Sequence, residues 1–573
     1  MGLPFAINGQ STKRDQPNVV FILTDDQGWG DLSLHGNPWL KTPHIDQFAA
    51  EGAQFDRFFV SPLCAPSRAS FLTGRYHLRT GTATVTGGLE TMRSEELTLA
   101  EAFKQNGYRT GCFGKWHNGE HYPEHPNGQG FDEFFGFCGG HWNKYFDALL
   151  ERNGQPVKTK GYITDVLTNE ALAFIEKNKD QPFFCYIPFN APHGPFIVPD
   201  AYFNKYASQG LDNRTASVYG MCENIDDNVG KILERLKSLK LADNTIVIFS
   251  TDNGPAGKRF NGDMKGTKGS VHEGGVRVPF FIRWPGHITP NSKVSQLAGH
   301  IDVFPTLVGM CGLNVTGNLP LDGVSLVPYL QQQSLPERQL YTHVYKGNKL
   351  KSAPGAVRSS QYRFIHADAG DSLYDMIRDP SQKKDISKAS PDLLKSFRIS
   401  YDQWFADVTK KGIGRPPIST GFPEAYTIVL PATEAYFNHS IQYKGKNGFA
   451  HDWLINWKST TDSIWWELHS VKETEYLVTL FYTCPREDIG ATIKAGIPGT
   501  AITASVTRAF DPPLDDFSQE RAAREGQPDK QWASLPIGKM KLPAGQYRLY
   551  LQAPEVKGKQ VAEVQAVVLK RVN

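Results

Sequence analysis

Cysteine is scarce in this 573-residue chain: seven residues, at positions 64, 112, 138, 185, 222, 311 and 484, with no CxxC pair. That spacing speaks against a zinc cluster or a disulfide framework as the organising element, and leaves room for one or two incidental disulfides. No apolar run is long enough to cross a bilayer. An excess of one charge is lacking too. The net charge of +3 is too small to argue for nucleic acid or a membrane surface as partner. Internal repeats and low-complexity tracts are missing. The start, "MGLPFAINGQSTKRDQP", carries only a brief apolar patch and does not read as a signal peptide. Either the protein is cytosolic or an export signal is missing from this sequence.

What is present points to more than one domain, since a single core rarely grows beyond ~250–300 residues. "NVVFILTDDQG" and "NTIVIFSTDNG" are continuous apolar runs closed by acidic or amide residues. They read as buried parallel strands, with Asp25 and Asp26 at one C-terminal end and Asp252 and Asn253 at the other. "PFFCYIPFNAPHGPF" and "VPFFIRWPG" are two further strand candidates, and helical patterns alternate with them. The fold class is therefore α/β, a mostly parallel sheet covered on both faces, whose ligands bind beyond the carboxyl ends of the strands. The expected division is a tail over residues 1–17, a catalytic α/β domain over 18–335, a smaller α+β subdomain over 336–415, a linker over 416–424 and a β-sandwich over 425–573. "SQERAAREGQPDKQW" reads as a surface insertion of the sandwich. Trp453, Trp457, Trp465 and Trp466 serve either its core or a glycan-binding face.

The chemistry-bearing residues fall in loops that should open on one sheet edge. Asp25, Asp26, Asp252 and Asn253 offer only oxygen donors, a set suited to Ca²⁺ or Mg²⁺ rather than zinc. Either pair alone would read equally well as a helix cap. Cys64, in "SPLCAPSRASFLTG", stands before a short helix ending at Gly74, beside Arg68. A cysteine at a helix N-terminus near arginine sits in a positive field that suits a reactive or modified group, whereas a buried inert thiol is the bland alternative. "GCFGKWHNG" supplies Lys115 and His117, "NAPHGPF" supplies His193, and "MKGTKGSVHEGG" supplies Lys265 and Lys268. A divalent cation among such basic groups makes a site for a compact anion such as sulfate or phosphate, with the histidines moving protons. "FCGGHWNKYFD" and "GKRFNGD" offer His141, Trp142, Arg259 and Asn261 as substrate contacts, or merely as loop-folding residues.

Taken together, these motifs resemble the type I sulfatase family, the formylglycine-dependent branch of the alkaline phosphatase superfamily. "CAPSRASFLTGR" fits the family signature C-x-P-S-R-x-x-x-L-T-G-R, and "GKWHNG" departs from its second motif only at Asn118, a mild change not expected to touch the chemistry. The resemblance spans about residues 18–415. It implies that Cys64 is oxidised to formylglycine by a maturating enzyme that reads Pro66 and Arg68. It makes Asp25, Asp26, Asp252, Asn253 and the modified residue 64 the ligands of Ca²⁺, with Mg²⁺ as the alternative. Arg68, Lys115 and Lys268 would hold the sulfate and the hydrated aldehyde. His193, with Lys268, would protonate the leaving alcohol, and His117 would take the proton that releases sulfate. The added sandwich resembles bacterial enzymes acting on sulfated glycans, so a carbohydrate sulfate ester and a periplasmic or secreted location are expected. A phosphonate or phosphate ester hydrolase of the same chemistry is the nearest alternative, and an inactive carbohydrate-binding protein the more distant one.

Overall fold

The computed structural model describes residues 16–572 apart from 318, 348, 446, 447, 519 and 525–527. Most of the tail expected over 1–17 therefore lies outside the described residues. The central element is a mixed ten-stranded sheet. Its middle is parallel: Asn18–Thr24 lies between Thr245–Thr251 and Phe183–Pro188, followed by Arg109–Lys115 and Glu133–Phe137. Antiparallel partners close both sides, Phe280–Arg283 against Thr245–Thr251 and Leu149–Arg152 against Glu133–Phe137. Every residue of Asn18–Thr24 is buried. Val20 and Ile22 enter one core, and Val19, Phe21 and Leu23 enter the other, as alternation across a strand buried on both faces requires.

The helices start where their caps dictate. Thr98 and Glu101 form a reciprocal capping box at Leu99–Gln105, and Asp212 accepts the backbone N–H groups of Arg214 and Thr215 ahead of Asn213–Ser238. Crowding fixes the floor of the site. Gly114, at φ +144, leaves no room for a Cβ, which would run into the Pro188 carbonyl oxygen. Glycine is thus what lets the strand bearing Lys115 lie flat against its neighbour.

Beyond this layer, a four-stranded antiparallel sheet (Leu340–His343, Gly355–Arg358, Tyr362–His366, Ser372–Asp375) packs Phe364 against Phe397, Tyr401 and Trp404 of the helix Pro391–Val408. Two six-stranded sheets then share one core. The stretch expected as a linker contributes to them: Ile418–Thr420 pairs in parallel with Leu468–Ser470. Trp453, Trp457 and Trp466 are buried, whereas Trp465 is half-buried and stacks on Tyr436. Among the described residues of "SQERAAREGQPDKQW", Arg521 rests on the α/β layer, where it pairs with Asp200 and lies 4.3 Å from the Phe203 ring centroid.

Candidate functional site

The two acid-ended strands pair in register, Asn18 opposite Thr245 through to Thr24 opposite Thr251. The next residues, Asp25 and Asp252, then Asp26 and Asn253, consequently stand level with one another. They are tied by bonds from the Asp26 backbone N–H to Asp252 Oδ1 (3.2 Å) and from Asn253 Nδ2 to Asp26 Oδ1 (2.8 Å). Asp26 takes φ +66, a left-handed turn that aspartate tolerates better than most residues.

Cys64 opens the helix Cys64–Thr73, which Gly74 ends at φ +70. Pro66 falls within its first turn rather than in a preceding loop. Arg68 follows one turn later on the same face. Its Nε and Nη2 donate to Asp252 Oδ2 at 3.0 and 2.9 Å, and its Nη1 donates to the Lys115 carbonyl at 2.8 Å. Lys115 Nζ meets Asp25 Oδ2 at 2.6 Å, with both side chains fully buried. Lys268 Nζ meets Asp26 Oδ1 at 2.6 Å. Each of the three carboxylates thus has one close cation, and Arg68 Nη2 lies 3.8 Å from Asp25 Oδ2 as well. Lys265, from the same loop as Lys268, turns away to the Tyr374 hydroxyl at 3.3 Å.

These pairs set the protonation states. Burial alone would raise the Asp25 carboxyl, but Lys115, His193 and Arg68 together hold it well below the usual carboxylate range. Burial pushes the Cys64 thiol up to about 11, against the pull of Lys115 and Lys268. The field expected to activate this cysteine therefore does not make it a thiolate. Burial would lower Lys268, yet Asp26 holds it well above the usual lysine range.

The two histidines differ in their partners. His117, at φ +64, has Nε2 3.0 Å from the Val85 carbonyl oxygen. A carbonyl only accepts, so Nε2 carries the proton and Nδ1 is left with its lone pair. That Nδ1 is buried and without a partner. Burial, then Lys115, holds the imidazole well below its ordinary range. His193 gives Nδ1–H to the Gly194 carbonyl at 2.7 Å and places Nε2 3.7 Å from Asp26 Oδ2. Burial, then Lys268, lowers it as well.

A metal ion fits these residues. Ligand atoms of Asp25, Asp26, Cys64 and His193 lie within 4.8 Å of one another. Asp25 Oδ1 and Asn253 Oδ1 are buried oxygens with no partner. Such orphaned acceptors are costly unless something fills the space between them.

The substrate-contact candidates divide. The His141 ring lies parallel to His193, centroids 6.1 Å apart, and Trp142 packs 5.0 Å from Phe137. Arg259 instead donates to Asp31 at 2.8 Å, to the Ala256 carbonyl at 2.7 Å and to the Asp26 carbonyl at 2.9 Å. Asn261 accepts the Gly30 N–H at 3.1 Å and donates to the Gly274 carbonyl at 3.2 Å. These two residues brace the loops behind the acids. Asn118 matters more than expected, because its Nδ2 donates at 3.0 Å to the Ala65 carbonyl, next to Cys64. Sequence reasoning missed the Val85 carbonyl, since backbone acceptors leave no trace in residue identity. It also missed His451, whose ring stands 5.2 Å from that of His141.

Comparison with known proteins accords with this geometry. Residues 17–313 match the family model described as Sulfatase, and residues 267–395 match the one described as N-sulphoglucosamine sulphohydrolase, C-terminal. Human N-acetylgalactosamine-6-sulfatase is 36% identical over 385 residues, 60% of this chain and 71% of that protein. The N-acetylgalactosamine-6-O-sulfatase of Bacteroides thetaiotaomicron is 29% identical over 489 residues, 68% of this chain and 93% of that protein. The crystal structure of Ps i-CgsB in complex with k-i-k-neocarrahexaose superposes with a TM-score of 0.66 at 30% identity, covering 70% of this chain and 95% of that one.

Proposed function

Because the chain belongs to the sulfatase family, hydrolases of sulfuric esters, we propose that it removes sulfate from a sulfated carbohydrate at the Cys64 site. One observation carries the reading: two fully buried acid–cation pairs and a third, partly exposed one from Lys268 gather beside Cys64 around two unpartnered oxygens, those of Asp25 and Asn253. Held by Asp25, Asp26, Asp252, Asn253 and residue 64, a divalent cation (Ca²⁺, or else Mg²⁺) supplies positive charge for the sulfate oxygens, and formylglycine formed from Cys64 supplies, as its hydrate, the oxygen nucleophile.

The side chains do the rest. Lys115 and Lys268 hold the sulfate oxygens, and Arg68 braces Asp252 and the Lys115 backbone. His117 accepts a proton at Nδ1, the nitrogen left free by the Val85 carbonyl. Burial, then Lys268, favours the neutral form of His193. An arriving sulfate anion raises its affinity for a proton, which it then passes to the departing alcohol oxygen, with Lys268 beside it. His141 and Trp142 face the sugar, in keeping with the sulfated amino sugars in the names of the relatives. A periplasmic or secreted location and a formylglycine-forming partner belong to the same reading. No helix among the described residues is long and apolar enough to cross a membrane.

The test pairs peptide mass spectrometry of residue 64 with a panel of monosulfated saccharides and phosphate esters of the same alcohols. Aldehyde at residue 64 with sulfate release proportional to its occupancy is expected. Full activity with an unmodified thiol, or preference for the phosphate esters, defeats the reading.

A further inference from the structure

The sandwich reaches the site from outside both family matches, which end at residues 313 and 395. Two of its segments touch the loops that carry the site histidines. Gly448 accepts a hydrogen bond at its carbonyl from the Thr86 hydroxyl, next to the Val85 carbonyl that orients His117. His451, at φ +69, lies with Nε2 3.1 Å from the His141 carbonyl oxygen, so that Nε2 carries the proton. Its ring meets those of His141 and Trp142 edge-on, at 5.2 and 5.1 Å. From the second segment, Arg524 donates to Asn143 Oδ1 at 3.2 Å and to the Asn143 carbonyl at 3.3 Å. Lys144 is paired with Asp515 at 3.1 Å.

The loop gripped in this way has little freedom. A Cβ at Gly140 would come 2.7 Å from His117 Nε2. The consequence falls on His141, which is only 8% exposed and whose Nε2 has no hydrogen-bond partner. A buried polar atom left unpaired marks a place where another group completes the bond. Its ring lies parallel to that of His193, the residue assigned above to the departing alcohol, with centroids 6.1 Å apart.

We propose that the sandwich is part of the active site: His451 and Arg524 position the His141–Asn143 loop so that His141 Nε2 hydrogen-bonds a hydroxyl of the sugar being desulfated. This rests on the carbohydrate-sulfate reading above. His451 and Arg524 are positioning residues, and His141 is the group that touches substrate.

Three full-length enzymes decide it: wild type, His451→Ala and His451→Gln, whose amide can still donate to the His141 carbonyl. Each is assayed on the best monosulfated saccharide and on 4-methylumbelliferyl sulfate, and amide exchange of residues 138–144 is followed by mass spectrometry. His451→Ala should lose about tenfold more kcat/KM on the sugar sulfate than on the aryl sulfate, mainly through KM, as expected for a lost substrate hydrogen bond. Amides 138–144 should exchange at least about fivefold faster, and His451→Gln should recover most of both effects. Equal losses on the two esters, or unchanged exchange, overturn the proposal. A wild type that cleaves neither ester refutes the sulfate reading instead, and the exchange comparison still decides the positioning role.

Discussion

Replacing Arg68 with methionine tests whether the acid–cation pairing holds the site together. Arg68 and Asp252 are both fully buried, 2.9 Å apart. Methionine keeps the apolar stem and deletes the two donors to Asp252 and the one to the Lys115 carbonyl. Removing one member of a buried pair costs about 3–5 kcal/mol, because the other charge is stranded. The lost bond to the carbonyl adds about 1 kcal/mol. The sum, about 4–6 kcal/mol, consumes much of a typical margin of about 5–15 kcal/mol. At roughly 0.8 °C per kcal/mol for a chain this long, the melt should fall by about 3–5 °C.

Asp252→Asn should cost less, since Arg68 keeps Asp25 at 3.8 Å. The double variant strands no charge, so the two losses should fall short of adding by about 2–3 kcal/mol. All four proteins carry Cys64→Ala, so that formylglycine content cannot enter, and are melted with chelator at pH 8. At that pH the Asp252 carboxyl, pushed up to about 7 by burial and by Asp25, is ionised. A loss under about 1 kcal/mol for Arg68→Met, or simple additivity, would refute the reasoning.

Chelation should lower activity and melting temperature together, and Asp26→Ala should do the same; full activity in protein shown by metal analysis to be free of divalent ions is the contrary result. His193→Ala should cost roughly 10²-fold more on a sugar sulfate than on a nitrophenyl sulfate, because an alkoxide needs a proton as it leaves and a nitrophenolate largely does not. His117→Ala should impair both, and equal losses for His193→Ala would shift the acid role to Lys268. His121 joins the α/β layer to the sandwich through Glu434 at 3.1 Å. Burial would lower its imidazole, but Glu434 raises it from 6.5 to about 9. Its stabilising effect is therefore complete below pH 6.5 and disappears as the pH rises through 9. Melts from pH 6 to 10 should fall in that window, and His121→Asn should flatten the slope.

The acid-and-cation half of the candidate site was legible in the sequence because it is local. Asp25, Asp26, Asp252 and Asn253 directly follow apolar strands, and Cys64 with Arg68 sits on one short helix. Parallel strands sharing a sheet place such residues at the same edge whatever their separation along the chain. The half around His141 was not legible. Arg259 read equally well as a substrate contact or as a loop-folding residue, and only the folded chain brings Asp31 to it. His451 lies 310 residues from the His141 carbonyl that it meets, in a different layer, and no periodicity encodes how two layers dock. The linker misread at Ile418–Thr420 has a similar cause: a three-residue edge strand flanked by Pro417 and Gly421 carries almost no pattern.

The in-register ladder beneath the acids couples the two halves of the enzyme to different failures. A slip of one residue between Asn18–Thr24 and Thr245–Thr251 would turn both cores inside out before it could separate Asp25 from Asp252. The sulfate end therefore stays rigid until the whole sheet gives way. The end around His141 depends instead on how two layers dock, through ion pairs, ring contacts and hydrogen bonds that can part without disturbing the ladder. On warming, discrimination between sugars should decay while hydrolysis of a simple aryl ester persists, so selectivity and turnover have separate thermal limits in one polypeptide.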